Sequence, residues 1–177
     1  MNSFLQRLIG AAALDSTIYE EVEADRAATG QALTVIILSS LAAGVGSRGL
    51  GGATFPNAAF FAFVSLMAWG AWALLILQIG GRVLPEPQTS VDVGELLRTT
   101  GFAAAPGILR VFGILPGVTI PVFVITAVWM LAAMVVAVRQ ALDYRSTGRA
   151  IAVCVLGWAL AIAFAVALGI FLGPGVS

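Results

Sequence analysis

An all-α polytopic membrane bundle of five spans is the fold this sequence predicts, and three observations predict it. Five strongly apolar stretches, Gln31–Gly46, Pro56–Ile79, Phe102–Leu115, Val122–Val138 and Ile151–Leu172, are divided by short connections that carry Arg. Apolar residues make up 60% of the chain and charged residues only 10%, against about a quarter charged in soluble proteins. Within the stretches the apolar positions run all round the helix instead of forming one stripe, the pattern of a helix with no watery side. A hydrocarbon layer of roughly 30 Å takes about 20 residues at 1.5 Å each, and several stretches reach that length.

Residues 1–30 read as cytoplasmic helices that precede the bundle. Phe4, Leu5, Leu8 and Ile9 fall on one helical face with Gln6 and Arg7 off it, which predicts a short helix lying in the headgroup layer. No signal peptide is expected, because the apolar run is short and acidic sequence follows it. Asp15-Ser16-Thr17 reads as a helix start, with Thr17 and Glu20 forming a T-x-x-E capping box near the positive end of the helix dipole. That helix, Ile18–Thr29, is expected to run on into the first span of the bundle, residues 31–172. Gly44, Gly46, Gly49, Gly51 and Gly52 end this span in a loop. Pro85-Glu86-Pro87-Gln88 reads as a stiff exposed linker without chemistry, and residues 173–177 as a short outer tail.

Orientation follows from Arg placement. With the N-terminus inside, Arg7, Arg26, Arg82, Arg98, Arg139, Arg145 and Arg149 all fall on the cytoplasmic side, and only Arg48 falls outside. The asymmetry predicts an N-in, C-out chain with five crossings. Trp69, Trp72, Trp129 and Trp158 lie within spans and are expected to pack between helices.

The third span stands apart. Pro106 removes a backbone donor and Gly107 lets the chain bend, so a break is expected near Pro106-Gly107. Arg110 is the only charge well inside any span, and a cation at that depth must be paired, hydrated or snorkelling. Two readings follow: a polar site at the broken helix where Arg110 binds an anion or lipid headgroup, or a long side chain that simply reaches the outer headgroups.

Two charged runs flank the bundle. Glu20-Glu21-Val22-Glu23-Ala24-Asp25 puts Glu21 and Asp25 on one face, as a solvated surface or a docking surface for a partner. A metal is not expected there, since a hard cation needs more oxygen ligands and a turned loop. Arg139, Arg145 and Arg149 in the last inner loop suit anionic lipid headgroups, or plain positive-inside charge. In the last span Gly157, Ala161, Ala165, Gly169 and Gly173 recur every fourth residue, a small-residue stripe that lets helices approach closely in lipid. A span of the same chain or a partner helix fills it.

Composition also excludes whole classes of function. Net charge is zero, so there is no basic footprint for nucleic acid. The chain has no His and a single cysteine, Cys154, which excludes a His relay and an intrachain disulfide and leaves Cys154 as a small packing residue. No G-x-S-x-G, H-E-x-x-H, P-loop or intramembrane Asp pair is present, so no catalytic residue and no cofactor is expected. All nine basic residues are Arg, which with the Ala and Gly richness points to a GC-rich bacterial genome and hence to a bacterial inner membrane.

The sequence resembles a bacterial member of the Yip family of integral membrane proteins, named for interaction with Ypt/Rab GTPases. The resemblance rests on Leu14-Asp15 through Tyr19 to Asp25, on Gly101-Phe102-Ala103-Ala104-Ala105-Pro106-Gly107, on Trp129-Met130 through Arg139 to Tyr144, and on Gly148-Arg149-Ala150. It implies five spans, a cytosolic N-terminus, and membrane organisation through protein and lipid contacts, with Glu20 to Asp25 as the counterpart of the family's sensitive acidic residues. The D-L-Y-G-P type motif of eukaryotic members is missing, so Rab binding is not carried over. The function expected is non-enzymatic: organising or assisting assembly in the membrane, with membrane lipids and another membrane protein or a second copy as partners. The alternative is a small transporter, channel or lipid-translocating protein using the broken third span.

Overall fold

The computed structural model describes residues 3–50, 55–89 and 92–172. Its α-helices are α1 (Phe4–Ala12), α2 (Ser16–Ala24), α3 (Ala28–Gly46), α4 (Phe55–Gln78), α5 (Val93–Phe102), α6 (Thr119–Ala141) and α7 (Thr147–Leu172). No strand occurs among the described residues. Three stretches are long and apolar enough to cross a membrane: Ala28–Gly49, Pro56–Val83 and Thr119–Ala141. Large apolar side chains cover their outer faces, with Phe60 68%, Ile120 67% and Val128 65% exposed. Lipid or another helix solvates such a surface at least cost.

The N-terminal residues fold differently from the sequence expectation. A capping box does form, but at Ser3 and Gln6, where Ser3 Oγ accepts from the Gln6 N–H and Gln6 Oε1 accepts from the Ser3 N–H. At α2 the cap is Asp15, whose carboxylate accepts from the Thr17 N–H at 3.0 Å and its hydroxyl at 2.8 Å. Thr17 is thereby drawn inside the first turn, and no Thr17–Glu20 box forms. Nor does α2 continue into α3. Asp25 is extended at φ −91° and ψ 98°, and its carboxylate accepts from the Ala27 N–H, so a tight turn separates the two helices.

Helix α1 also faces another way. Arg7 and Ala11 are buried while Leu5 and Ile9 are 60% and 61% exposed. The inner face is Phe4, Arg7, Leu8 and Ala11, a three-and-four spacing along one side, and Leu5 and Ile9 are left for the lipid boundary. Helices α1 and α6 both end with a left-handed residue, Leu14 at φ 63° and Asp143 at φ 52°. In each case the next N–H turns back into the last turn, Asp15 to the Gly10 carbonyl at 3.0 Å and Tyr144 to the Arg139 carbonyl at 2.9 Å, which satisfies carbonyls the helix leaves open.

Helix α5 stops at Phe102, a turn takes Ala103 and Ala104, and Ala105–Ile114 winds as a 3-10 helix with Pro106 in its first turn. Pro106 has no N–H to donate back to the Phe102 carbonyl, which accounts for the break. At about 2 Å per residue the 3-10 segment is roughly 20 Å long, too short to cross alone. It lies between α3 and α6 with no room to spare: a Cβ at Gly46 would strike the Arg110 carbonyl oxygen, and one at Gly107 the Ser39 hydroxyl.

The linker expected at Pro85–Gln88 is a tie instead. Glu86 accepts from the Arg145 N–H at 3.1 Å and stands 3.5 Å from Arg149 Nε, while Arg149 Nη1 donates to the Pro85 carbonyl at 2.6 Å. Tyr144 is buried beside it, its hydroxyl 2.8 Å from both the Gly80 and Leu84 carbonyls at the π-helical end of α4. Cys154 is fully buried.

Candidate functional site

Two constellations of polar side chains stand out. The first is a cap made by α1, α2, α5 and the end of α6. Arg7 is its centre at 3% exposure: Nε and Nη2 donate to Glu21 Oε1 at 3.0 and 2.8 Å, Nη2 to Asp25 Oδ2 at 2.7 Å, and Nη1 to Gln31 Oε1 at 3.0 Å. Glu21 and Asp25 thus share a face, as their spacing predicts, and that face is turned to Arg7. Hydrogen bonding to Arg7 holds the Asp25 carboxyl below its ordinary range. Burial acts to lower the Arg7 pKa, but the bonds to Asp25 and Glu21 more than offset it and raise it. Glu20 is exposed and accepts from Gln140 Nε2 at 2.7 Å.

Arg98, buried on α5, closes the other end of α2. Its guanidinium donates to the carbonyls of Val22 and Glu23, two of the acceptors that a helix C-terminus leaves unpaired, at the negative end of its dipole. The sequence offered Arg98 only as inside charge. Beside it the Glu23 carboxyl is pushed up to about 7 by burial and by Glu95 and Asp143, with Arg98 opposing and Glu20 adding to the rise. The folded state therefore binds a proton that the unfolded state, with a carboxyl near 4.5, releases. Stability from this group is full at low pH and is lost as pH rises between about 4.5 and 7. Glu23→Gln should raise the thermal midpoint in detergent at pH 8 and leave it nearly unchanged at pH 4. After solvent screening the gain at pH 8 is about 1 kcal/mol. Equal effects at both pH values would refute the assignment.

The second constellation surrounds Arg110. Its Nε donates to Thr126 Oγ1 at 3.2 Å and its guanidinium carbon lies 5.4 Å from the centre of the Phe123 ring. Thr126 is about two turns inside α6, so the side chain is directed along the bundle and not towards the α6 N-terminus. Its Nη1 and Nη2 make no hydrogen bond or ion pair among the described residues. Two cavities meet here. One of about 40 Å³ is bordered by Ser39, Ser40, Ser65 and Arg110. The other, about 290 Å³, is walled by Trp69, Trp72, Met130, Met134 and Trp158. The indole N–H groups of Trp69 and Trp72 are buried without a partner in the described structure. Pro106 and Gly107 do not line either cavity; they set the break that brings Arg110 to them.

The remaining candidates fall as follows. Arg139 Nε reaches the Tyr144 carbonyl at 3.4 Å, Arg149 is held by Pro85 and Glu86, and Arg145 is exposed. Gly157 packs inside the chain, where a Cβ would sit 2.9 Å from Ile76 and 3.5 Å from Trp72 Nε1 on α4. Ala161, Ala165 and Gly169 lie outside the residues whose side chains are described. Ser39, Ser40 and Ser65 were not singled out by the sequence, since a lone hydroxyl in an apolar helix more often bonds its own backbone.

Membrane-length apolar helices, with polar groups confined to a cap at one end and a pocket within, define a multi-pass integral membrane protein. Within that class the chain belongs to the Yip1 domain family, whose domain matches residues 15–168. The match opens on the cap residue of α2 and closes inside α7. No curated protein and no solved structure matches the chain.

Proposed function

We propose that this protein is a non-enzymatic organiser of a bacterial inner membrane, crossing it five times with the N-terminus inside and the C-terminus outside. It holds other membrane components through protein and lipid contacts. One observation carries the reading: the two buried cations of the cap, Arg7 and Arg98, hold α1, α2 and α5 to each other. Such a cap is built for a fixed shape. Membership of the Yip1 domain family supports it. Partner contacts use Glu20, with the outward edges of Glu21 and Asp25, and the small-residue stripe at Ala161, Ala165 and Gly169. Arg145, with the Arg139 and Arg149 stems, meets anionic headgroups. The test is crosslinking of protein purified in mild detergent, comparing wild type with Ala165→Leu. A defined crosslinked species that Ala165→Leu removes supports the reading, and a strictly monomeric, lipid-free particle overturns it.

The Arg110 cavities favour a second reading, translocation of a solute, ion or lipid past the broken third segment. Reconstituted vesicles decide between the two. Flux that Arg110→Ala abolishes supports translocation, and wild-type vesicles as tight as empty ones remove it.

A further inference from the structure

We infer that the paired cavities at Arg110 form a binding site for an anionic membrane amphiphile, whose acid group meets Arg110 and whose hydrocarbon chain lies among the tryptophans. The inference rests on the lipid-contact part of the function proposed above and names the ligand class. Its basis is the sorting of chemistry between the two spaces. The small cavity gathers unpartnered polar groups and no carboxylate: the free Nη atoms of Arg110, and the hydroxyls of Ser39 and Ser40, buried at 5% and 6% and bonded to no described residue. A half-buried guanidinium with no carboxylate partner among the described residues is costly until an anion joins it, and an oxyanion accepts from a guanidinium fork and hydroxyls together.

The large cavity has the opposite character. Trp69, Trp72, Met130 and Trp158 give aromatic and thioether walls that suit a methylene chain. Its volume, about 290 Å³, is at the lower margin of small-ligand sites, roughly 300–1,000 Å³, and so holds one chain segment. Trp158, on the cavity wall, is 46% exposed, so the cavity opens to the outside of the bundle, where α4 and α6 carry uncovered apolar side chains. The way in is therefore from lipid. A free anion would have to cross those apolar faces unaccompanied, so the occupant brings its charge in on a hydrocarbon tail.

The tryptophans that line the site also report on it. Wild-type protein is reconstituted in phosphatidylcholine vesicles, and tryptophan quenching is compared for phosphatidylglycerol and phosphatidylcholine brominated in the acyl chains. The expected result is half-maximal quenching at about tenfold lower mole fraction for the anionic lipid, a preference of the size of one charge-assisted hydrogen bond. Arg110→Gln should abolish that preference. Ser39→Ala, which removes only a hydroxyl and keeps the fold safe if Arg110→Gln fails to insert, should reduce it about threefold. Arg26→Gln, exposed in the turn between α2 and α3, should leave it intact. Equal quenching by the two lipids, or a preference that survives in both Arg110→Gln and Ser39→Ala, overturns the inference. Relief of quenching by inorganic phosphate would replace the lipid with a free anion and overturn it too. A negative result here leaves the crosslinked species of the proposed function standing, so the two fail separately.

Discussion

Arg7→Ala will lower the thermal midpoint of the protein in detergent by about 5–10 °C, the equivalent of about 2–3 kcal/mol at this chain length. The reason is the geometry around the guanidinium, which is 3% exposed and donates to Glu21, Asp25 and Gln31 at once. Removing it leaves two carboxylates facing each other and an amide without its donor, with α1 no longer fastened to α2 and α3. Breaking a fully buried pair costs about 3–5 kcal/mol. The figure is set lower here because Glu21 and Asp25 remain 29% and 27% exposed and water can recover part of their solvation. The acid limb supplies a second readout. Arg7 holds the Asp25 pKa below its ordinary 3.8, so this contribution is present above that pH and is lost as pH falls through the lowered value. Arg7→Ala should flatten that limb. The exposed Arg26 serves as the control, since Arg26→Ala should move the midpoint by no more than about 0.5 kcal/mol. If Arg7→Ala behaves like Arg26→Ala, the buried hub is not what holds the cap.

The helical membrane bundle was legible because its signal is composition summed over long windows: the runs in α3, α4 and α6 need no knowledge of their neighbours. The break before Pro106 was legible for a local reason, the missing donor of proline. What stayed hidden depends on contacts between residues far apart in sequence. Arg7 and Arg98 count equally as inside charge in the sequence, yet one is an ion-pair hub and the other closes the end of α2 from 75 positions further along the chain. The inner face of α1 was misassigned for the same cause. Leu5 and Ile9 are more apolar than Arg7, so the pattern favours them inward, but three acceptors, Glu21 on α2, Asp25 in the turn after it and Gln31 on α3, draw Arg7 inward instead. The Pro85–Gln88 tie was missed because its partners lie beyond α6. Of the candidate site, Arg110 could be singled out as a lone charge, whereas Ser39, Ser40 and Ser65 became a group only when α3 and α4 met. The 3-10 winding of Ala105–Ile114 was not legible at all, because runs of that length are uncommon and have no distinct sequence pattern.

Gly46→Ala is expected to destabilise the protein strongly, and Gly30→Ala, in the same helix, should stabilise. At Gly30 a Cβ meets nothing within 4 Å, so alanine brings only its better helix propensity, about 0.5–1 kcal/mol. At Gly46 the added carbon runs into the carbonyl oxygen of Arg110, with the Phe123 ring 3.1 Å away. A side chain can rotate away, but a carbonyl in a hydrogen-bonded segment moves only with its backbone. The 3-10 segment would have to lift from α3, and Arg110 would leave Thr126 and the cavity walls with it. Overpacking of this kind costs about 1–3 kcal/mol and more where backbone must shift, so about 3 kcal/mol is expected here. Gly107→Ala is the intermediate case, because its obstacle is the Ser39 hydroxyl and that rotor can turn. The ranking of the three variants by thermal midpoint in one detergent is the measurement. Gly30→Ala above wild type, Gly107→Ala below it and Gly46→Ala lowest is the order the packing demands. Gly46→Ala as stable as Gly30→Ala would mean that the third segment does not rest on α3, and the position of Arg110 would fall with it.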